Sequence, residues 1–306
     1  MEYVPADFAE RVLRLDMCHK VIWSPDIKKV SGVFGAVGEK FSLNHVSIEL
    51  KVYVSPDFTE IFCETHIHGY ENGILIDDIP FTRFFKLKKF YKKAILEIVE
   101  TSNFDIQFNI EFEKRAFVPW NDPSFLALLA SLKHFPRLSL KDLTRCCSNP
   151  IYALLNRNKL LVSGDFLMPG TIDNHFREFA EFQLIHSDFT QVVCREAITD
   201  DEDLFKKILF HYFQSPRVRN FSAIFYRIRL PQVNPAIEVF VDAWTSFSGE
   251  VRGYGQKEIT IFPSHIPWDT TNLVVENARG QILYSKSPSS KRVVEGRSTC
   301  LVCTEK

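Results

Sequence analysis

A chain of 306 residues that is 45% hydrophobic with a net charge of −1 can bury a sizeable core, as one elongated domain or about two compact ones, and is not a disordered polyelectrolyte. So balanced a charge supplies no overall field to draw in nucleic acid or an anionic membrane, and no apolar run approaches the roughly 20 residues that a spanning helix needs. The start, Met1-Glu2-Tyr3-Val4-Pro5, lacks the basic and apolar segments of a secretory signal, and seven cysteines at spacings that suggest no disulfide framework point to a reducing compartment, cytoplasmic or nuclear.

In the first element Phe8, Val12 and Leu15 fall at helical spacing with Leu13 beside them, and Asp7 with Glu10 makes a capping-box-like pair. A short helix with one apolar face is expected. Pro5, Phe8 and Val12-Leu13 resemble the opening of an F-box, a Leu-Pro-x-x-Leu-x-x-x-Ile-Leu pattern with Val and Phe substituted. The start as a whole, through Ser31-Gly32-Val33-Phe34-Gly35-Ala36-Val37-Gly38, resembles the large nematode-expanded families of F-box and F-box-associated proteins. The resemblance implies a small helical module that docks on a Skp1-like adaptor of a ubiquitin ligase, with Pro5, Phe8, Val12 and Leu13 facing the adaptor and an unknown protein substrate recruited by the remainder. Gly32, Gly35 and Gly38 are followed by Glu39-Lys40-Phe41, not by the Lys and hydroxyl of a phosphate loop, so close packing of a small helix or turn is their reading.

From Val46 the period changes to two. Val46, Ile48, Leu50, Val52 and Val54 alternate with polar residues, Ser55-Pro56-Asp57 interrupts, and Ile61, Cys63, Thr65 and Ile67 alternate again, which predicts a hairpin. His66 and His68 share one side of the second strand with Glu64, but a zinc site needs three or four ligands and no third is evident, so they read as surface residues. Over Ile79–Thr101 the stripe Phe84, Leu87, Tyr91, Ile95 and Ile98 predicts an amphipathic helix, with Lys86, Lys88, Lys89, Lys92 and Lys93 on its other side. A nucleic-acid interface on that Lys86–Lys93 helix is a rival reading, weakened by Glu97 and Glu100 immediately after. Phe104, Ile106, Phe108, Ile110 and Phe112 then alternate as a strand.

Asn121 to Phe189 reads as a repeat. Helix starts are marked at Asp122-Pro123, Asn149-Pro150, Asp173 and Thr199-x-x-Glu202, each followed by an apolar run. Strand-like segments follow at Leu138–Leu143, Leu161–Phe166 and Leu184–Phe189, where Asp142, Asp165 and Asp188 recur about 23 residues apart, within the range of leucine-rich helix–strand repeats. Aligned in a solenoid, those carboxylates would cap one edge of a parallel sheet. Val218 to Leu230 reads as a longer strand, Asn234-Pro235 opens a helix-like run, Glu258 to Phe262 is a strand, and Leu273–Val275 with Ile282–Tyr284 makes a hairpin about Asn277–Gly280. From Ser285 the composition predicts a disordered tail, with a lone Cys300-x-x-Cys303 that lacks the second pair of a zinc ribbon.

No nucleophile elbow, zinc-protease pattern or kinase loop set is present. The expected architecture is therefore α/β, an irregular leucine-rich-repeat-like solenoid with a parallel sheet. It divides into an F-box-like segment (1–40), a hairpin–helix–strand section (41–118), a repeat region with a hairpin cap (119–284) and a tail (285–306). The expected function is non-catalytic protein–protein recognition, as an F-box-type substrate-recruiting subunit, with no cofactor, no metal and no membrane partner. A scaffolding solenoid that does not bind the adaptor, its residues 4–15 packed into the repeats, is the alternative.

Overall fold

The computed structural model describes residues 5–17, 32–55, 59–76, 91–100, 118–135, 137–143, 151–187, 189–194, 201–215, 218, 220–224, 233–250, 257–262, 274–278, 281–285, 292–296 and 300–305. Helices and a sheet of mixed parallel and antiparallel pairing make the α/β architecture expected. The chain divides into two compact units, Met1–Lys141 with Arg157–Gly164, and Asp142–Asn156 with Asp165–Lys306.

In the first unit, α1 (Ala6–Met17) packs on α2 (Val33–Leu43). The carbonyl of Pro5 opens α1 by accepting from the amides of Phe8 and Ala9, so Asp7 lies in the first turn and not at the cap. Gly32, at φ +81°, caps α2, and Gly35 and Gly38 are buried inside it, as close packing requires. The hairpin forms as its alternation predicts: β1 (His45–Val54) pairs antiparallel with β2 (Glu60–Glu71). A third strand, β3 (Ile74–Ile76), continues β2 through the turn Asn72-Gly73, with φ of 52° and 82°. Asn-Gly between alternating segments is a strong signal for this left-handed two-residue turn.

The stretch expected as a basic amphipathic helix contains a strand, β4 (Tyr91–Glu100), parallel to β1. Ala94, Leu96 and Ile98 pair with Ile48, Leu50 and Val52 and are buried. The spacing of Tyr91, Ile95 and Ile98 imitates a helical stripe, and the β-branched Ile95, Ile98 and Val99 settle the segment as strand. Lys92 is the extra residue of a bulge, since Val46 pairs with Tyr91 and Ser47 with Lys93. Lys86 to Lys89 and Phe104 to Phe112 lie outside the described residues. A short β5 (Val118–Pro119) pairs with the start of β2, α3 (Pro123–Leu132) is capped by the Asp122 carboxylate accepting from Ser124 and Phe125, and β6 (Leu138–Asp142) lies beside β4. Stacked rings of Tyr91 and Phe135, 4.3 Å apart, tie the end of α3 to β4.

The second unit holds α4 (Ile151–Arg157), β7 (Asp165–Leu167), α5 (Asn174–His186), β8 (Gln191–Cys194), α6 (Glu202–Gln214), β9 (Asn220–Ile224), α7 (Val233–Ser246) and β10 (Lys257–Phe262). Strands β7 to β10 are parallel neighbours. Asp173 caps α5 as expected, whereas α6 is capped by Asp201, with Thr199 and Asn149 outside the described residues. Two strands start later than expected. Ser163 and Gly164 turn across Leu138, whose carbonyl accepts from both amides, so pairing begins only at Asp165, and Leu184 to His186 are the last turn of α5. Consequently Asp142 ends its strand while Asp165 begins one, and Asp188 is outside the described residues. The two aspartates do not form equivalent rungs.

The C-terminal segment is not a tail. Beyond the hairpin β11 (Val274–Ala278) and β12 (Gln281–Ser285) come β13 (Arg292–Gly296) and β14 (Cys300–Glu305), and β14 pairs antiparallel with β10. Leu301, Val302 and Cys303 are fully buried. The polar run Ser287–Lys291 conceals two short β-branched segments, Arg292-Val293-Val294 and Leu301-Val302-Cys303-Thr304.

Candidate recognition surfaces

Helix α1 shows an unusual partition of its side chains. Ala9 is fully buried, whereas Phe8 is 55% exposed and Val12 36% exposed one turn later, with Pro5 exposed at the start. Phe8 meets the edge of Phe34 on α2 at 6.4 Å between ring centroids. Of the four residues for which the F-box resemblance implies adaptor contact, Pro5, Phe8 and Val12 are exposed, and the Leu13 side chain is outside the described residues.

The second surface is the open face of the strands in the second unit. Parallel register places Phe166, Val192, Phe221 and Ile259 in one buried row toward the helices. The alternate positions make two rows on the other face: Asp165, Gln191 and Asn220, then Leu167, Val193, Ser222 and Thr260. All but Val193 are half-buried or exposed. Carboxylate and carboxamide groups on adjacent strands, about 4.8 Å apart, form a row of hydrogen-bonding side chains with aliphatic contact beside it.

In the first unit, the face of β1 and β2 opposite the buried aliphatic row is laced with charge. Lys51 pairs across β1 with Glu64 and with Glu97, and lies 3.8 Å from Glu49. Tyr53 donates its hydroxyl proton to Glu64 at 2.8 Å. His66 and His68 stand opposite Glu49 and Ser47, exposed as the sequence implied. His45, beside the Tyr70 ring at 4.8 Å, is held down at a pKa of about 4, chiefly by burial and then by the nearby Lys92 charge.

Several buried polar groups were not foreseen from sequence. Tyr152 donates to the Asp142 carboxylate inside the second unit; burial first, then the Asp142 charge, drives its pKa well up. Lys257 is 8% exposed, and its ammonium donates to the Ser215 carbonyl at the end of α6 (3.1 Å) and sits 4.8 Å over the Tyr212 ring. Desolvation lowers its pKa. Tyr212 in turn donates to the Glu258 carbonyl (2.7 Å) and accepts from the Glu258 amide (3.1 Å), so its hydroxyl is engaged by backbone. Burial raises the thiols of Cys63, to about 12, and of Cys194 and Cys303. Cys303 is fully buried on β14, and the Cys300 side chain lies outside the described residues.

A groove of about 520 Å³ runs between the last turns of α5 and α6, with Leu184, Ile185 and Phe210 on its walls and the Glu181–Lys207 ion pair (2.6 Å) among its lining residues. Among the described residues no group of three or more His, Cys, Asp or Glu is placed to hold a metal ion, and no helix is long and apolar enough to cross a membrane. No family profile, curated protein or solved structure matches the chain.

Proposed function

We propose that this chain is a non-catalytic protein-recognition subunit of the F-box type. In this reading α1 docks on a Skp1-like adaptor through Pro5, Phe8 and Val12, with Leu13 as the fourth contact. The parallel strands form an irregular leucine-rich-repeat-like array whose open face contacts the protein target. The observation that carries the adaptor contact is the partition on α1: an amphipathic helix has its small Ala9 inward and its large Phe8 and Val12 outward. Leaving a Phe and a Val in water forgoes on the order of 1.5–3 kcal/mol per side chain once buried, a gain that a partner surface can recover. The rows Asp165–Gln191–Asn220 and Leu167–Val193–Ser222–Thr260 suit a protein target because they mix hydrogen-bonding and aliphatic groups without a converging catalytic set.

The exposure of Phe8 speaks against the scaffold reading, which requires α1 to bury that ring. The strand β4 removes Lys92 and Lys93 from the basic helix on which the nucleic-acid reading rests.

The test is a titration of the purified chain with a Skp1-like adaptor. Saturable binding that weakens at least tenfold in Phe8→Ala/Val12→Ala, with unchanged circular dichroism, supports the reading. Absence of binding, or binding indifferent to that double substitution, removes the adaptor role. Gln191→Arg with Asn220→Arg should abolish capture of the target while sparing the adaptor.

A further inference from the structure

Among the described residues of the first unit, five of the six large exposed hydrophobic side chains lie on elements attached to one helix, Leu161 being the sixth. Phe8 and Val12 lie on α1, which packs on α2, and Tyr70, Ile74 (70% exposed) and Leu75 (53% exposed) lie on the β2–β3 hairpin. That hairpin is fixed to the far end of the same helix. The Gly73 amide donates to the Leu43 carbonyl at 2.9 Å, and the Asn72 amide donates to the Asn44 side-chain oxygen at 3.1 Å. Asn44 simultaneously donates its side-chain amide to the Lys40 carbonyl at 2.9 Å, closing the helix. A Cβ at Gly73 would press on Leu43 Cδ2 at 3.1 Å, and both turn residues hold positive φ, so the tip has little freedom to adjust.

We propose that the protein partner that takes Phe8 and Val12 also takes Tyr70, Ile74 and Leu75, with α2 mounting a two-part docking surface. This rests on the function proposed above. The argument on area is direct. A stable interface buries about 800 Å² on each side. A half-exposed Phe offers on the order of 100 Å², and a Val at one-third exposure less, so the α1 pair falls well short alone. The hairpin tip supplies apolar surface on the same mount, about 14 Å along the helix from Phe34 to Leu43. Tyr70 pairs with Leu75 on one face of the tip and Ile74 lies on the other, so the tip is taken by a depression that touches both faces. Between the two ends α2 presents Ala36, Glu39 and Lys40 to solvent. The partner of matching chemistry therefore has two apolar depressions separated by a polar strip that can meet one carboxylate and one ammonium. Because the turn is already pinned at both residues, binding orders little new backbone.

The experiment measures binding of the full chain to an immobilised Skp1-like adaptor in four forms: unsubstituted, Phe8→Ala/Val12→Ala, Ile74→Ser/Leu75→Ser, and all four changes together. Each pair should weaken binding at least tenfold and the combination should abolish it, with the thermal midpoint of the hairpin variant unchanged. If the unsubstituted chain binds and Ile74→Ser/Leu75→Ser binds equally well, the two-part surface is wrong and the adaptor role stands. If the unsubstituted chain does not bind, both fall. Sedimentation of the free chain supplies the remaining outcome: a dimer dissolved by Ile74→Ser/Leu75→Ser would make the tip a contact between copies and overturn the proposal.

Discussion

The two units fill their interiors with different materials. Strands β1 and β2 are long, and β1 alone sends five aliphatic side chains inward, Val46, Ile48, Leu50, Val52 and Val54. Strands β7, β8 and β9 have three to five residues, so each has only one or two inward positions. Phe166 and Phe221 occupy two of them, and the helices answer with Tyr152, Phe176, Phe179, Phe205, Phe213, Phe240 and Trp244, all essentially without solvent exposure. Rings meet across the layers: Phe166 lies 6.1 Å from both Phe176 and Phe179, and Phe205 lies 5.9 Å from Phe221 and 5.5 Å from Phe240. A short strand reaches its covering helix by using a large side chain; a long one does so with many small ones.

The sharpest way to break that comparison is to truncate one member of each core. Phe205→Ala removes a ring held by Phe221 and Phe240, and should cost about 3–5 kcal/mol by urea denaturation. Leu50→Ala, in a row of aliphatics, should cost about 2–5 kcal/mol and leave a smaller cavity. A Phe205→Leu variant then separates the materials, since it should recover most of the loss if volume alone matters and little if ring geometry does.

Next in size is Tyr152→Phe. The Asp142 carboxylate accepts from this hydroxyl in a fully buried site, so removing the donor should cost about 1–3 kcal/mol. A loss below about 0.3 kcal/mol would mean that the other contacts of Asp142 satisfy it unaided.

How much of this was legible in the sequence follows the same division. Long strands announce themselves by period two, so β1 and β2 were readable residue by residue, and capping side chains gave the starts of α3 and α5. Strands of three or four residues contain too few alternations to show a period, which is why β7 and β8 were placed early, on Val162 and Ile185. Segment β4 failed for a different reason: a fully paired interior strand is apolar at most positions, and the bulge at Lys92 puts Tyr91 out of phase with Ala94, Leu96 and Ile98, so that Tyr91, Ile95 and Ile98 mimic a helical stripe. Helix α1 was legible from local spacing, but that spacing alone did not tell that Phe8 and Val12 stay exposed. The hairpin tip was written in Asn72-Gly73 and missed, while its anchoring to Leu43 and Asn44 is tertiary and has no local signature.

Titration offers a smaller contrast between the units. In the first, His45 has a folded pKa of about 4 against 6.5 in model peptides. A histidine whose pKa is lowered by folding binds protons less well in the native state, so stability falls as pH drops from 6.5 toward 4 and is constant above. The shift would be a few kcal/mol for a wholly buried ring; screening at this partly exposed one reduces the expected loss to about 1–2 kcal/mol. His45→Gln should flatten that limb of the stability profile, and an unchanged acid slope would assign it to other groups.

The second unit should show its own limb at alkaline pH, through Lys257. Burial lowers this lysine below its usual 10.5, so the unfolded chain holds the proton over a window in which the folded chain has lost it. Stability attributable to the group therefore rises with pH from its folded pKa up to 10.5, and the penalty for charging it is fully present below the folded value. Against that penalty stand the hydrogen bond to Ser215, the favourable end of the α6 dipole and the Tyr212 ring. These offset one another, and Lys257→Met exchanges a cation with no carboxylate against it among the described residues for a side chain of similar length. The substitution should move stability at pH 7 by less than about 1 kcal/mol. Its signature is the difference profile between variant and parent, which should favour the variant at pH 7 and decline toward pH 10.5. A flat difference would show that the amine is solvated in the native state, and that α6 ends on water instead of on Lys257.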